Sequence, residues 1–216
     1  MDNLIVLESS NYLTALCTDI RNVNVTGPEL KKRLIRLGEL VGSEIASHEF
    51  VRAATVQTPM GQTFSGLAMD DKHVVIISTK DDFESFSNGI SRHFRSKTTG
   101  FMDFAGERGR TTYNSQVRTI ILPDLPKGKR VDAVIIAKSV LATGCTAVTL
   151  AKTALQKFMP NKLIITSCFY SEQAIEELFQ ELPNAKLYLV GSPDQLNENG
   201  MLIPGVGNID ERQNAA

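Results

Sequence analysis

The chain has 216 residues, 23 basic and 24 acidic side chains, and a formal net charge of −1. Its hydrophobic share of 42% and charged share of 22% are those of an ordinary globular protein, long enough to bury a full core without staples. The charge balance excludes a globally basic nucleic-acid binder of the histone kind, though it leaves room for a local basic patch.

No apolar run approaches the roughly 20 residues that span a bilayer. The opening residues Met1 to Glu8 lack a basic region and are broken by Glu8, so no secretory signal is expected. Cys17, Cys145 and Cys168 are odd in number and far apart, which fits a cytoplasmic location and not a disulfide scaffold. His48, His73 and His93 show no ligand spacing, so no metal site is expected.

Along the chain, Leu30, Leu34, Leu37, Val41 and Ile45 predict a helix over 28–46. Thr26 and Glu29 read as its capping box, with Pro28 in the first turn. Residues 50–57 read as a strand, Thr58-Pro59-Met60-Gly61 as a turn and 62–66 as a return strand, together a hairpin. The run 74–77 is a buried strand, and Phe83, Phe86, Ile90 and Phe94 repeat at helical spacing. Residues 95–119 are polar and aperiodic and read as a long functional or mobile loop. Then come a strand at 134–137, a helix at 146–158, a strand at 163–165, a helix capped by Ser171 and a strand at 186–190. Alternating strands and helices of this kind build a parallel α/β sheet with right-handed crossovers. There are no repeats or linkers, so a single domain over 1–216 is expected.

Ligands of such sheets bind at the carboxyl ends of the strands. After the 134–137 strand, Ala142, Thr143, Gly144, Cys145 and Thr146 lead into a helix. Amides without partners, a positive helix end and two threonine hydroxyls can cradle a phosphate, and the same residues can equally be an ordinary helix start. No Gly-x-Gly-x-x-Gly or Gly-Lys-Ser/Thr motif supports a dinucleotide or Walker-type site. The tail from Asp194 to Asn208 holds glycines and a proline after a strand; it is either a loop that hydrogen-bonds a planar ligand through its backbone or a solvent loop. Cys145, at a helix N-terminus, is either a reactive thiol or a small residue filling a glycine-sized place.

Together these segments resemble the uracil phosphoribosyltransferase family, which has the type I phosphoribosyltransferase fold. Leu141-Ala142-Thr143-Gly144-Cys145-Thr146-Ala147 is similar to its 5′-phosphate and ribose loop. Leu196-Asn197-Glu198-Asn199-Gly200 and Pro204-Gly205-Val206-Gly207, with Arg212 beyond, are similar to its uracil-binding tail. Thr58-Pro59-Met60-Gly61 is similar to its Thr-Pro-Leu-Gly hairpin, and Arg21 and the helix ending near Glu44 fall at its early arginine and helix. The resemblance implies a largely parallel sheet flanked by helices, with a β-hairpin arm and a C-terminal hood. It divides the domain into a helical part and hairpin (about 1–70), a core (about 71–190) and a base-binding hood (about 191–212), in a homodimer.

It also implies a reaction, uracil displacing pyrophosphate from phosphoribosyl pyrophosphate to give uridine monophosphate, with magnesium on the pyrophosphate. Side chains would then position both substrates and stabilise charge on the leaving group. Ala142, Thr143, Gly144, Cys145 and Thr146 would hold phosphate, and Met201, Ile203, Pro204, Gly205, Gly207 and Asn208 the base.

The family's polar catalytic positions differ here. Its ribose-binding Asp falls on Lys138, followed by Ser139 and Val140, and its pyrophosphate-binding Arg falls on Asp81, followed by Asp82 and Phe83. The Lys of its Lys-Leu-Pro falls on Ile121, before Leu122-Pro123; the Asp ahead of its tail motif falls on Pro193, its Tyr on Met201 and its Gly-Asp on Gly207-Asn208. The phosphate cradle and tail glycines are kept, while the pyrophosphate, ribose and metal groups are replaced. The expectation is a family member impaired in transfer that still binds a nucleoside monophosphate or phosphate, with no certain cofactor and magnesium only if it is active. The first alternative is a working enzyme whose cations are supplied by Arg92, Arg95, Lys97, Arg108 or Arg110. The second is a nucleotide-sensing regulator that binds RNA or protein through the basic 92–130 segment. No membrane partner is expected.

Overall fold

The structure is a computed structural model that describes residues 3–7, 10–104, 117–125 and 130–215. In chain order its elements are β1 (Leu4–Leu7), α1 (Asn11–Arg21), α2 (Gly27–Glu49), β2 (Val51–Gln57), β3 (Thr63–Met69), β4 (Val74–Thr79), α3 (Lys80–Phe83), α4 (Phe86–Ser91) and β5 (Lys97–Phe104). They continue with β6 (Val117–Ile121), β7 (Ala133–Ala137), β8 (Val140–Leu141), α5 (Cys145–Phe158), β9 (Lys162–Ser167), β10 (Phe169–Tyr170), α6 (Glu172–Glu181) and β11 (Lys186–Val190). The hood carries β12 (Gln195–Leu196), β13 (Leu202–Ile203) and α7 (Ile209–Asn214).

The apolar runs become the inner strands of a seven-stranded sheet in the order β1-β11-β9-β7-β4-β5-β6. Its pairs are parallel except β5 with β6. Both faces are covered, so the centres of β4, β7, β9 and β11 are continuous apolar runs that do not alternate. Val74, Ile76, Ile135, Ile164 and Tyr188 share one core cluster with the α2 stripe Leu30, Leu34, Leu37, Val41 and Ile45. Val75, Ile77, Val134, Ile136 and Ile165 share the other with Val148, Leu150 and Ala151 of α5 and Leu178 of α6. Each fully buried Val, Leu or Ile among them contributes about 1.5–3 kcal/mol.

The chain runs from β4 to β5 on one side and returns to β7 on the other side of β4. The sheet therefore reverses its winding between β4 and β7, where open α/β sheets leave a crevice at their carboxyl ends. The loops after these two strands carry Asp81-Asp82 and Lys138.

Several sequence expectations need correction. Residues 95–119 are not one long loop: β5 and β6 lie in the sheet, and 105–116 fall outside the described residues. The first half of β5, Lys97-Thr98-Thr99-Gly100, holds two β-branched threonines but no large apolar side chain, and so shows no hydrophobic period. The repeat from Phe83 to Phe94 is two short helices, because Ser85 leaves the helical region with φ −115° and ψ −98°. Thr26 makes no side-chain cap bond: Gly27 turns with φ +54°, and Pro28 already removes one of the orphan donors. β1 and α1, short or weakly patterned, have no counterpart in the sequence reading, and the return strand of the hairpin reaches Met69.

Candidate functional site

A cleft of about 1070 Å³ opens over the carboxyl ends of β4, β5 and β7. Its wall brings together Asp81, Lys138, Ala142, Thr143, Gly144 and Thr146 with Met201, Gly207 and Asn208 of the hood. Cys145, Pro193, Ile203, Pro204 and Gly205 are not on this wall. Cys145 is 1% exposed and its thiol points at the Thr143 carbonyl, 4.0 Å away, as a small residue closing a turn does.

The cradle is built by backbone. Gly144 caps α5 with φ +81°, and a Cβ there would lie 3.1 Å from the Ala174 carbonyl oxygen, so glycine serves this position best. Ser171 fixes the loop from below: its hydroxyl donates to the Ala142 carbonyl at 2.5 Å and accepts from the Ala174 amide at 3.0 Å, the latter capping α6. The first-turn amides of α5 have no partners within the helix and lie along the cleft.

The hood is tied down by two guanidinium groups. Arg21 donates to both Asp194 carboxylate oxygens at 2.8 and 2.9 Å and to the Gly205 carbonyl at 2.9 Å, and lies 4.8 Å over the Phe169 ring. Arg212 donates to the carbonyls of Ile20, Asn22, Val25 and Val206. The family-like Arg21 and Arg212 are thus engaged in holding the hood. Asp194, next to Pro193, is the carboxylate that Arg21 binds. Gly205 (φ +61°) admits no side chain, since a Cβ would meet the Leu202 carbonyl oxygen at 2.1 Å.

At the winding reversal Lys138 pairs with Asp81 and Asp82. The Lys138 ammonium lies 2.8 Å from Asp82 Oδ2 and 3.3 Å from Asp81 Oδ2. The same Asp82 oxygen accepts the Ser139 amide at 3.1 Å, and Asp82 is fully buried. Burial alone would lower the Lys138 pKa, but the charges of Asp81 and Asp82 hold it above the ordinary lysine range. Burial opposes ionisation of Asp81 too, and Lys138 overcomes it, so that carboxyl is lowered. For Asp82 burial wins and pushes the carboxyl up.

The cleft's other described cations are also paired, Lys31 with Glu84 and Lys80 with Asp103. Among the described residues of the wall, Lys31, Lys80 and Lys138 face Asp81, Glu84, Asp103, Asp210 and Glu211, three ammonium groups against five carboxylates. Asp210 and Glu211 come from α7, which sequence reasoning did not single out; the only signal was two acidic residues opening a polar stretch after the glycine loop. Arg92 pairs with Glu39, Lys97 bonds the Ser91 carbonyl and Arg95 is exposed; none lines the cleft, and Arg108 and Arg110 fall outside the described residues.

A magnesium ion does not fit this site as a resident cofactor, because an ammonium group already stands between the two carboxylates. Among the described residues no group of three or more His, Cys, Asp or Glu is placed to hold a metal ion. No helix among them is long and apolar enough to cross a membrane.

The model of the uracil phosphoribosyltransferase family matches residues 6–214. The chain belongs to that family. A uracil phosphoribosyltransferase of Thermococcus gammatolerans is 26% identical over 212 residues, covering 98% of this chain and 92% of the relative. One from Methanococcus maripaludis is 26% identical over 206 residues, covering 95% and 87%. A solved structure from Aquifex aeolicus aligns over 99% of this chain and 98% of its own with a TM-score of 0.80 at 23% identity, which shows the shared fold. In this chain the family fold carries the Lys138, Asp81 and Asp82 cluster at the head of β4 and β7.

Proposed function

We propose that this family member binds a nucleoside monophosphate, or a phosphate alone, and is impaired in phosphoribosyl transfer. The observation that carries the reading is the Lys138 ammonium locked between Asp81 and Asp82. Transfer from phosphoribosyl pyrophosphate needs cationic groups aimed at the departing pyrophosphate, because the protein contributes mainly by stabilising that charge. Each described cation of the cleft is instead engaged with a carboxylate. Two like charges 4 Å apart cost about 1 kcal/mol in water and about 4 kcal/mol near a protein surface, so an acidic wall opposes a polyanionic donor.

A single phosphate is a different matter. Thr143, Gly144 and Thr146 line the cleft at the start of α5, where backbone amides and the helix dipole favour an anion. Met201 and Gly207 give the hood an apolar and backbone surface suited to a base. In this reading the residues bind and orient a nucleotide and no transfer step follows. The functional unit is a homodimer: Val56 of β2 and Phe64 of β3 are cross-strand neighbours exposed on one face, and a two-stranded hairpin is marginal unless its apolar surface is covered.

Isothermal calorimetry with uridine monophosphate tests the binding reading. Saturable binding tighter than about 1 mM is expected, worth at least about 4 kcal/mol. Binding no tighter than that sinks it.

A further inference from the structure

Asp81 and Asp82 follow β4, and Lys138 follows β7, so the two strands that flank the winding reversal deliver opposite charges to one point. The Lys138 side chain is 13% exposed and that of Asp82 is not exposed at all. Asp82 Oδ2 is held by the ammonium and by the Ser139 amide, while Oδ1 is buried with no hydrogen-bond partner. Gln213 of α7 donates to the Asp81 carbonyl at 3.0 Å and pins that turn under the hood. A hard divalent cation binds carboxylate oxygens at about 2.0–2.6 Å. Bridging these two carboxylates, it would need the oxygens and the volume that the ammonium holds. Lys138 is tethered to the chain, so its effective concentration at the pair exceeds that of a free ion.

We infer that Lys138 is the resident cation of this cleft, standing between Asp81 and Asp82 and excluding a divalent metal from that carboxylate pair. Ligand binding is then independent of divalent ions. That consequence rests on the nucleotide-binding reading above, whereas the exclusion of metal does not.

The test is a manganese(II) titration of the full chain, followed by the electron paramagnetic resonance signal of the free ion. The wild type is expected to take up no manganese saturably. Lys138→Gln frees the carboxylate pair and is expected to bind manganese at least about tenfold more tightly than the wild type. Equal uptake by both proteins, or none by either, overturns the inference. If Lys138→Gln does not fold, the wild type decides alone: saturable uptake overturns the inference, and none upholds it. Calorimetry of the wild type with uridine monophosphate in EDTA and in magnesium adds an independent arm. An unchanged affinity is expected, and a gain of about tenfold or more with magnesium contradicts it. Failure of the nucleotide to bind under either condition counts against the function proposed above and leaves the manganese comparison standing.

Discussion

At the scale of single residues, the buried carboxylates Glu49, Asp82 and Asp194 each meet a cationic partner far away in sequence. Lys138 and Asp81 stood out from the sequence as two departures from the family pattern, each with the wrong sign for its chemistry. Their pairing was not legible, because 57 positions separate them and only the β4–β7 register joins them. Glu49 is a second case, with no motif to announce it. Its carboxylate accepts from Lys162 at 2.6 Å, Lys186 at 2.7 Å and the Tyr188 hydroxyl at 2.7 Å, tying the end of α2 to the starts of β9 and β11. Burial alone would raise the Glu49 pKa, but these three donors outweigh it and hold it at about 2. A carboxyl depressed from an unfolded value of about 4.3 contributes stability that is fully present above that pH. The contribution is lost as pH falls through about 2. Urea unfolding between pH 6 and 2 is expected to show the wild type losing stability toward acid, with a shallower fall in Glu49→Gln; equal slopes would show that Glu49 does not contribute.

At the scale of elements, the helices and inner strands were legible because burial writes its period into the sequence. The apolar stripe of α2 is buried in one core cluster with the sheet, and the runs at 74–77 and 134–137 are covered on both faces. What escaped was held by contacts that hydrophobicity does not encode. β5 enters the sheet through Thr98, Thr99 and Gly100, where a Cβ at position 100 would sit 2.4 Å from the Ile121 carbonyl oxygen. α4 packs on α2 by backbone approach: a Cβ on Gly38 would lie 2.1 Å from the Phe86 carbonyl oxygen. In a free helix, alanine is better than glycine by about 1 kcal/mol. Here Gly38→Ala is expected to reverse that sign and destabilise by about 1–3 kcal/mol, as overpacking does. Chemical denaturation measures it, and a variant as stable as the wild type would show that α4 can move away at no cost.

At the scale of the whole molecule, the fold class and hairpin arm were legible from strand–helix alternation and turn chemistry, and the hood from its likeness to the family's tail. The distribution of charge across the cleft was not, because it depends on α7 closing Asp210 and Glu211 over a wall that α3 had already made acidic. The hairpin stands apart from the sheet, with Phe64 61% exposed and its cross-strand neighbour Val56 52% exposed on the same face. The homodimer proposed above is expected to form through this surface, so light scattering should find two chains per particle for the wild type and one for Phe64→Asp. A monomeric wild type would contradict this. The account's central claim is that the cleft keeps the family's phosphate cradle without the charges that transfer requires. A steady-state assay of the wild type with uracil, phosphoribosyl pyrophosphate and magnesium tests it most directly: no uridine monophosphate above the enzyme-free rate is the expected result, and clear, enzyme-dependent formation of uridine monophosphate would contradict it.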